Sequence, residues 1–157
     1  MILTLDEIEE KLQMFKDKKK VLVGGCFDVL HYGHLKFLQE AKKLGEVLIV
    51  ALEPDEFILK KKGRKPIHNQ TQRAEILDNL KIVDVVIKLP VLKGYTQYLK
   101  MANKVKPQFI AATKGDPQAE NKKKIAKNIR AEYKEIIKRI EPFSTSSILK
   151  NEAFHRN

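Results

Sequence analysis

Two histidines three residues apart carry the clearest chemistry in this chain. Residues 24–34 read Gly-Gly-Cys-Phe-Asp-Val-Leu-His-Tyr-Gly-His. They lie between an apolar run, Val21-Leu22-Val23, and a helix-forming run from Leu35 to Ala41. His31 and His34 therefore sit where a strand feeds a helix. Free backbone N–H groups and the dipole at a helix start attract anions. Imidazoles placed there donate hydrogen bonds to phosphate oxygens. A second anion-binding pattern, Ser144-Thr145-Ser146-Ser147, lies near the other end of the chain and opens an apolar helical stretch at Ile148 and Leu149.

These segments need a scaffold that brings them together. Thr4-Leu5-Asp6-Glu7 fits a capping box. Ile8, Leu12 and Phe15 then recur at helical spacing, which predicts a helix over 5–17 within an N-terminal helical segment, 1–18. Strands are predicted at 20–25, 47–52, 83–89, 108–113 and 135–140. Helices are predicted at 34–44 (closed by Gly45), 70–80, 96–103 and 118–133, with a last one after Ser144 and a basic loop at 59–68. The run Val47-Leu48-Ile49-Val50-Ala51-Leu52 is apolar throughout rather than alternating, the pattern of a strand covered on both faces of a parallel sheet. Alternating strands and helices give an α/β, Rossmann-like three-layer fold around a central, mostly parallel, five-stranded sheet. Sites in such sheets gather at the carboxyl ends of the strands, where the His31 segment, the acidic turn after Leu52, Thr113–Pro117 and the serine cluster all fall.

A length of 157 residues suits one domain, 1–157, with a flexible tail at 151–157. The apolar fraction of 43% excludes a disordered chain, and no run reaches the roughly 18 apolar residues of a membrane span. The lone Cys26 cannot form an internal disulfide, so the expected compartment is cytoplasmic and Cys26 is expected to be a small apolar residue at a strand end. The net charge of +11 suits anionic partners, either nucleic acid or phosphorylated small molecules. No aromatic RNA-recognition motif accompanies it.

The pattern His31-x-Gly33-His34, preceded by Gly25-Cys26-Phe27-Asp28, resembles the signature of the cytidylyltransferase-like nucleotidyltransferases. The resemblance covers about residues 20–113 and returns at 139–150. Glu53-Pro54-Asp55-Glu56-Phe57 resembles the family's acidic turn, Lys62-Gly63 its phosphate-binding basic loop, Arg73-Ala74-Glu75-Ile76-Leu77 its arginine-bearing helix, and Ser144–Ser147 its triphosphate-binding "ISTT" segment. The resemblance implies attack by an acceptor phosphate on the α-phosphorus of CTP or ATP, with pyrophosphate leaving. It implies His31, His34, Lys62 and Arg73 as catalytic residues. It implies Gly25, Cys26, Phe27, Asp28, Gly33, Lys61, Lys114, Gly115, Asp116, Arg139, Ser144, Thr145 and Ser146 as nucleotide-binding residues. Mg²⁺ would arrive on the triphosphate rather than in a protein cage, and the family's habit is a homodimer. Three branches compete. Asp55-Glu56-Phe57 and Arg139 look like glycerol-3-phosphate cytidylyltransferase. The N-terminal segment and Lys62-Gly63-Arg64-x-Pro66 look like heptose 1-phosphate adenylyltransferase domains, and archaeal FAD synthetase shares that Lys-Gly-Arg-x-Pro pattern. Thr113-Lys114-Gly115-Asp116-Pro117 departs from the first two, so the acceptor stays open between a phosphorylated polyol and a phosphorylated sugar. A rival reading is a non-catalytic nucleotide- or RNA-binding module, although retention of the histidines, the lysine and the serines argues for an enzyme acting on small molecules.

Overall fold

The computed structural model describes residues 1–141 and 143–150; the tail expected at 151–157 lies outside the described residues. Six parallel strands form one sheet in the order β1-β4-β3-β2-β5-β6. They are β1 (Ile2–Leu3), β2 (Lys20–Gly25), β3 (Val47–Leu52), β4 (Val85–Lys88), β5 (Phe109–Thr113) and β6 (Glu132–Ile137). The helices are α1 (Ile8–Lys11), α2 (Tyr32–Lys42), α3 (Asp55–Lys62), α4 (Gln70–Asp78), α5 (Tyr95–Val105), α6 (Ala119–Asn128) and α7 (Thr145–Lys150). Among the described residues no helix is long and apolar enough to cross a membrane.

The two parities of β3 explain the three layers. Val47, Ile49 and Ala51 face one core with Leu22, Val85, Ile87 and Ile110, covered by α1, α5 and α6. Leu48, Val50 and Leu52 face the other with Val21, Val23, Val86 and Ala111, covered by α2 and α4. Every residue of β3 is buried, as its unbroken apolar run requires.

The sheet has six strands rather than the five expected. The extra strand, Ile2–Leu3, pairs with Val86 and Ile87, and the terminal ammonium anchors it on Asp78 at 2.5 Å. Two residues are too few to carry a period. The helix expected over 5–17 is also replaced. Only Ile8–Lys11 is α-helical, followed by a 3₁₀ turn at Leu12–Phe15. Half of the capping box forms: the Glu7 carboxylate accepts the Thr4 N–H and hydroxyl, both at 2.7 Å, but no side chain caps the start of α1. Ile8 and Leu12 are nonetheless buried where the periodicity put them.

Two other segments depart from expectation in ways that matter for the site. Lys60–Lys62 do not lie in a loop but in the last turn of α3, whose first turn holds Asp55 and Glu56. Acid at the start and base at the end both favour the helix dipole, and Gly63, with φ 65°, closes the helix in the left-handed conformation. The long helix expected over 118–133 stops at Asn128, and Arg130 turns the chain at φ 57° into β6, which runs 132–137 instead of 135–140. Helix α2 ends at Lys42, short of Gly45.

Candidate active site

A cavity of ≈ 1070 Å³ opens over the carboxyl ends of β2, β3, β5 and β6. It is lined by His31 and His34, the lysines of α3, Lys114–Asp116, Arg139 and Ser144–Ser146. Segments more than a hundred residues apart in sequence are thus joined in one wall.

The β2–α2 junction sets the histidines. Phe27 and Val29 both adopt left-handed backbone (φ 47° and 52°), a conformation that costs non-glycine residues energy and folds the chain back sharply. The Phe27 ring is buried and packs 5.1 Å from His34. His31 caps α2: its Nδ1 accepts the His34 N–H at 3.4 Å. The two rings stack with centroids 3.7 Å apart and planes 21° from parallel. Because Nδ1 of His31 is an acceptor, a neutral ring carries its proton on Nε2. Nδ1 of His34 is buried without a partner. An unpaired acceptor is cheaper than an unpaired donor there, which also puts the His34 proton on Nε2. Gly33 lies between these rings and the incoming C-terminal segment, where a β-carbon would stand 3.1 Å from both His31 and the Phe143 carbonyl.

Both imidazoles are held neutral. Burial, then repulsion from His31 whenever it is protonated and from Lys62, push His34 down to about 3, with Asp28 opposing. Burial, then Arg139 and Lys62, lower His31. The sign for stability follows. An unfolded histidine takes a proton below its ordinary 6.5 and folded His34 does not, so folding is disfavoured as pH falls from 6.5 toward 3. The slope is at most about 1.4 kcal/mol per pH unit. Glu53, raised by burial, pulls the opposite way. The difference between wild type and His34→Gln isolates the histidine: in urea titrations the wild type should lose stability relative to the variant below pH 6.5. Parallel curves would show that His34 titrates normally.

Asp28 lines the cavity, and its carboxylate also clamps the loop before α4. Its carboxylate accepts Arg64 Nη1 at 2.8 Å, the Ile67 N–H at 3.0 Å and the His68 N–H at 3.3 Å. Burial pushes its carboxyl up, but these bonds and the Arg64 charge outweigh that and hold it below the usual range. The Asp28 carbonyl accepts the Thr145 hydroxyl at 2.6 Å. Thr145 therefore spends its proton on joining the two loops and has none left for a phosphate. Ser144 caps the start of α7 by accepting the Ser147 N–H at 3.1 Å, and Ser146 is exposed.

Arg73, expected among the catalytic side chains, does not reach the cavity. Its side chain is fully buried. Nη1 donates to the carbonyls of Cys26 (2.5 Å) and Glu53 (3.0 Å), Nε to the His68 carbonyl (3.0 Å) and Nη2 to Asp55 (2.6 Å). It ties the ends of β2 and β3 to the loop before α4. Cys26 lines the cavity, with burial raising its thiol. Gly25, Phe27, Gly33, Lys61, Lys62, Lys114, Gly115, Asp116 and Arg139 all line it as well. The Asp116 carboxylate is committed to Lys122 (2.5 Å) and the Gln118 N–H (2.8 Å). Among the described residues no three His, Cys, Asp or Glu side chains converge as a metal cage.

One pair escaped the sequence reading. Glu53, directly after β3, accepts the Tyr98 hydroxyl on both carboxylate oxygens, at 2.9 and 3.0 Å. Glu53 marked an acidic turn, but Tyr98 on α5 is indistinguishable in sequence from an aromatic residue of the core.

Known proteins resemble this chain in sequence and in fold. The cytidylyltransferase-like family model matches residues 22–151. The bifunctional protein HldE of Aliarcobacter butzleri is 37% identical over 152 residues, which is 95% of this chain and 30% of that protein. FAD synthase of Pyrococcus abyssi is 47% identical over 93 residues, 59% of this chain and 60% of that protein. The chain thus spans under a third of the HldE relative. A lipopolysaccharide core biosynthesis protein from Thermoplasma volcanium superposes with a TM-score of 0.61 at 31% identity, covering 81% of this chain and 99% of that one. A pantoate-beta-alanine ligase from Francisella tularensis, at 20% identity and a TM-score of 0.68, shares the fold. With its histidine pair, its parallel sheet and these relatives in agreement, the chain belongs to the cytidylyltransferase-like family.

Proposed function

We propose that this protein transfers a nucleotidyl group from a nucleoside triphosphate to a small phosphorylated acceptor. An acceptor phosphate oxygen bonds to the α-phosphorus, the bond from that phosphorus to the bridging oxygen breaks, and pyrophosphate leaves with the electron pair. The nucleophile is already an anion, so alignment and charge stabilisation do the catalytic work. The observation that carries the reading is the pair of stacked imidazoles in one cavity with Lys62 and Arg139. Negative charge spreads over the phosphoryl oxygens in the transition state. His31 and His34 donate to those oxygens, Lys62 supplies a mobile positive charge, and Ser144 and the start of α7 receive the far phosphates. Mg²⁺ would come bound to the triphosphate substrate, where it would offset part of the phosphate charge.

The cavity volume of ≈ 1070 Å³ lies at the upper end of the range for small-molecule sites. That supports two ligands side by side. The relatives favour ATP over CTP, since an FAD synthase by its name builds an adenine dinucleotide. Heptose 1-phosphate adenylyltransferase-like and FAD synthase-like transfer are therefore preferred to cytidylyl transfer onto glycerol 3-phosphate. The net charge of +11, which suits RNA as well as phosphorylated substrates, motivates the rival reading, a binding module for RNA.

The test is a pyrophosphate-release screen of ATP and CTP against glycerol 3-phosphate, heptose 1-phosphate and flavin mononucleotide. Turnover with ATP and one acceptor is the expected result. No release with any pair, combined with salt-sensitive RNA binding, would replace the enzyme with the module.

A further inference from the structure

We infer that Glu53 and Tyr98 form the acceptor's recognition point, and that the acceptor is a phosphate ester whose body carries a neutral hydrogen-bond donor. This deepens the transfer reading and rests on it. Glu53 is only 8% exposed, yet it faces the cavity. An ionised carboxylate accepts about four hydrogen bonds. Among the described residues, the single Tyr98 proton, shared between both oxygens, is all that Glu53 receives. The backbone fixes this arrangement: the Glu53 N–H donates to the Gly25 carbonyl at 3.1 Å and its carbonyl accepts from Arg73. Unfilled acceptor capacity, held rigidly and buried at a cavity wall, calls for a donor from a ligand.

The position of Glu53 says which ligand. Strand β2 lies between β3 and β5 in the sheet, so the histidines at its end divide the cavity into two arms. The arm over β5 and β6 carries Lys114 and Arg139. The arm over β3 and β4 carries Glu53, Phe57, Leu92, Tyr98 and Met101, and the lysines at the end of α3 line it as well. The Glu53 carboxylate and its apolar neighbours favour an uncharged body that carries a donor, and the lysines at the end of α3 suit the acceptor's own phosphate. In-line displacement puts the incoming acceptor and the departing pyrophosphate on opposite sides of the α-phosphorus. The β3–β4 arm is the acceptor's side. Its anchoring donor is either a hydroxyl of a sugar or polyol, or a ring N–H of a flat heterocycle that also uses the apolar wall.

Calorimetric titration distinguishes these sources and needs no turnover. Glycerol 3-phosphate, heptose 1-phosphate and flavin mononucleotide are titrated into wild type, Glu53→Gln and Tyr98→Phe, with ATP in parallel. Binding by one of the first two probes assigns a hydroxyl, and binding by the third assigns a ring N–H. Glu53→Gln keeps the volume and replaces one acceptor oxygen with a donor. It should weaken the bound probe at least tenfold and leave ATP affinity within twofold. Tyr98→Phe should weaken the same probe by a smaller factor. The inference is overturned if no probe binds wild type, if the bound probe is unchanged in variants whose thermal melts are intact, or if ATP weakens in step with it. A probe that binds through Glu53 but releases no pyrophosphate with ATP or CTP would instead sink the transfer reading and leave the acceptor site standing.

Discussion

His34→Ala should lower kcat at least about tenfold, toward the 10²–10³-fold loss typical when one preorganised oxyanion donor is removed, with little effect on the unfolding midpoint near pH 7. The ring is a neutral dipole, since burial pushes its pKa down to about 3. Its worth therefore lies in direction. The stack on His31, 3.7 Å away, and the Phe27 ring fix the plane from which Nε2 points. Preorganisation of this kind acts where charge develops and is weakly felt in the ground state, so the KM for the triphosphate should move less than kcat. His34→Gln, which retains an N–H donor at the end of a flexible chain, should recover part of the loss. Steady-state pyrophosphate release with the best ATP–acceptor pair measures all of these. Unchanged turnover in folded His34→Ala would remove the imidazole from the mechanism.

The features that were legible in the sequence share a physical cause: they are local. The histidine pair, the apolar run Val47–Leu52 and the serine cap each need only neighbouring residues to declare themselves, and each lies where its pattern put it. The misreadings involve partners far along the chain. Arg73 was expected to be catalytic because Arg73–Leu77 resembles the family's arginine-bearing helix. Its partners, the carbonyls of Cys26, Glu53 and His68, come from three separate segments. Thr145 looked like a phosphate donor until its hydroxyl met a carbonyl 117 positions earlier. Lys60–Lys62 are a local exception: they read as a loop because charge runs suggest solvent, while the dipole of α3 and the Gly63 cap made them a helix end. Glu53 and Tyr98, 45 positions apart, have no shared pattern at all. Tertiary hydrogen bonds leave no periodic trace, which is why the surroundings of Arg73, Thr145 and Glu53 could not be read from the sequence.

Arg73→Ala should be the most destabilising single substitution in this site, costing about 3–5 kcal/mol, the range for removing one partner from a buried ionic and hydrogen-bonded arrangement. The guanidinium is fully buried and serves four acceptors, three of them backbone carbonyls. Its removal strands the buried Glu53 oxygen at about 1–3 kcal/mol before relaxation and unpairs the part-buried Cys26 and His68 oxygens at a smaller cost each. Asp55 is partly exposed and can turn to solvent, so its ion pair contributes the smaller share. For a domain of this size the loss corresponds to a fall in Tm on the order of 10 °C. Arg73→Lys keeps the charge but offers one ammonium in place of a planar fork. It cannot span four acceptors on three segments and should recover less than half of the deficit. Because Arg73 holds the ends of β2 and β3, both variants should also loosen Glu53 and the histidine loop, so turnover falls together with stability. Urea unfolding and pyrophosphate release, measured on the same preparations, test the coupling. A stable Arg73→Ala protein, within about 1 kcal/mol of wild type but inactive, would return this residue to the catalytic role its helix first suggested.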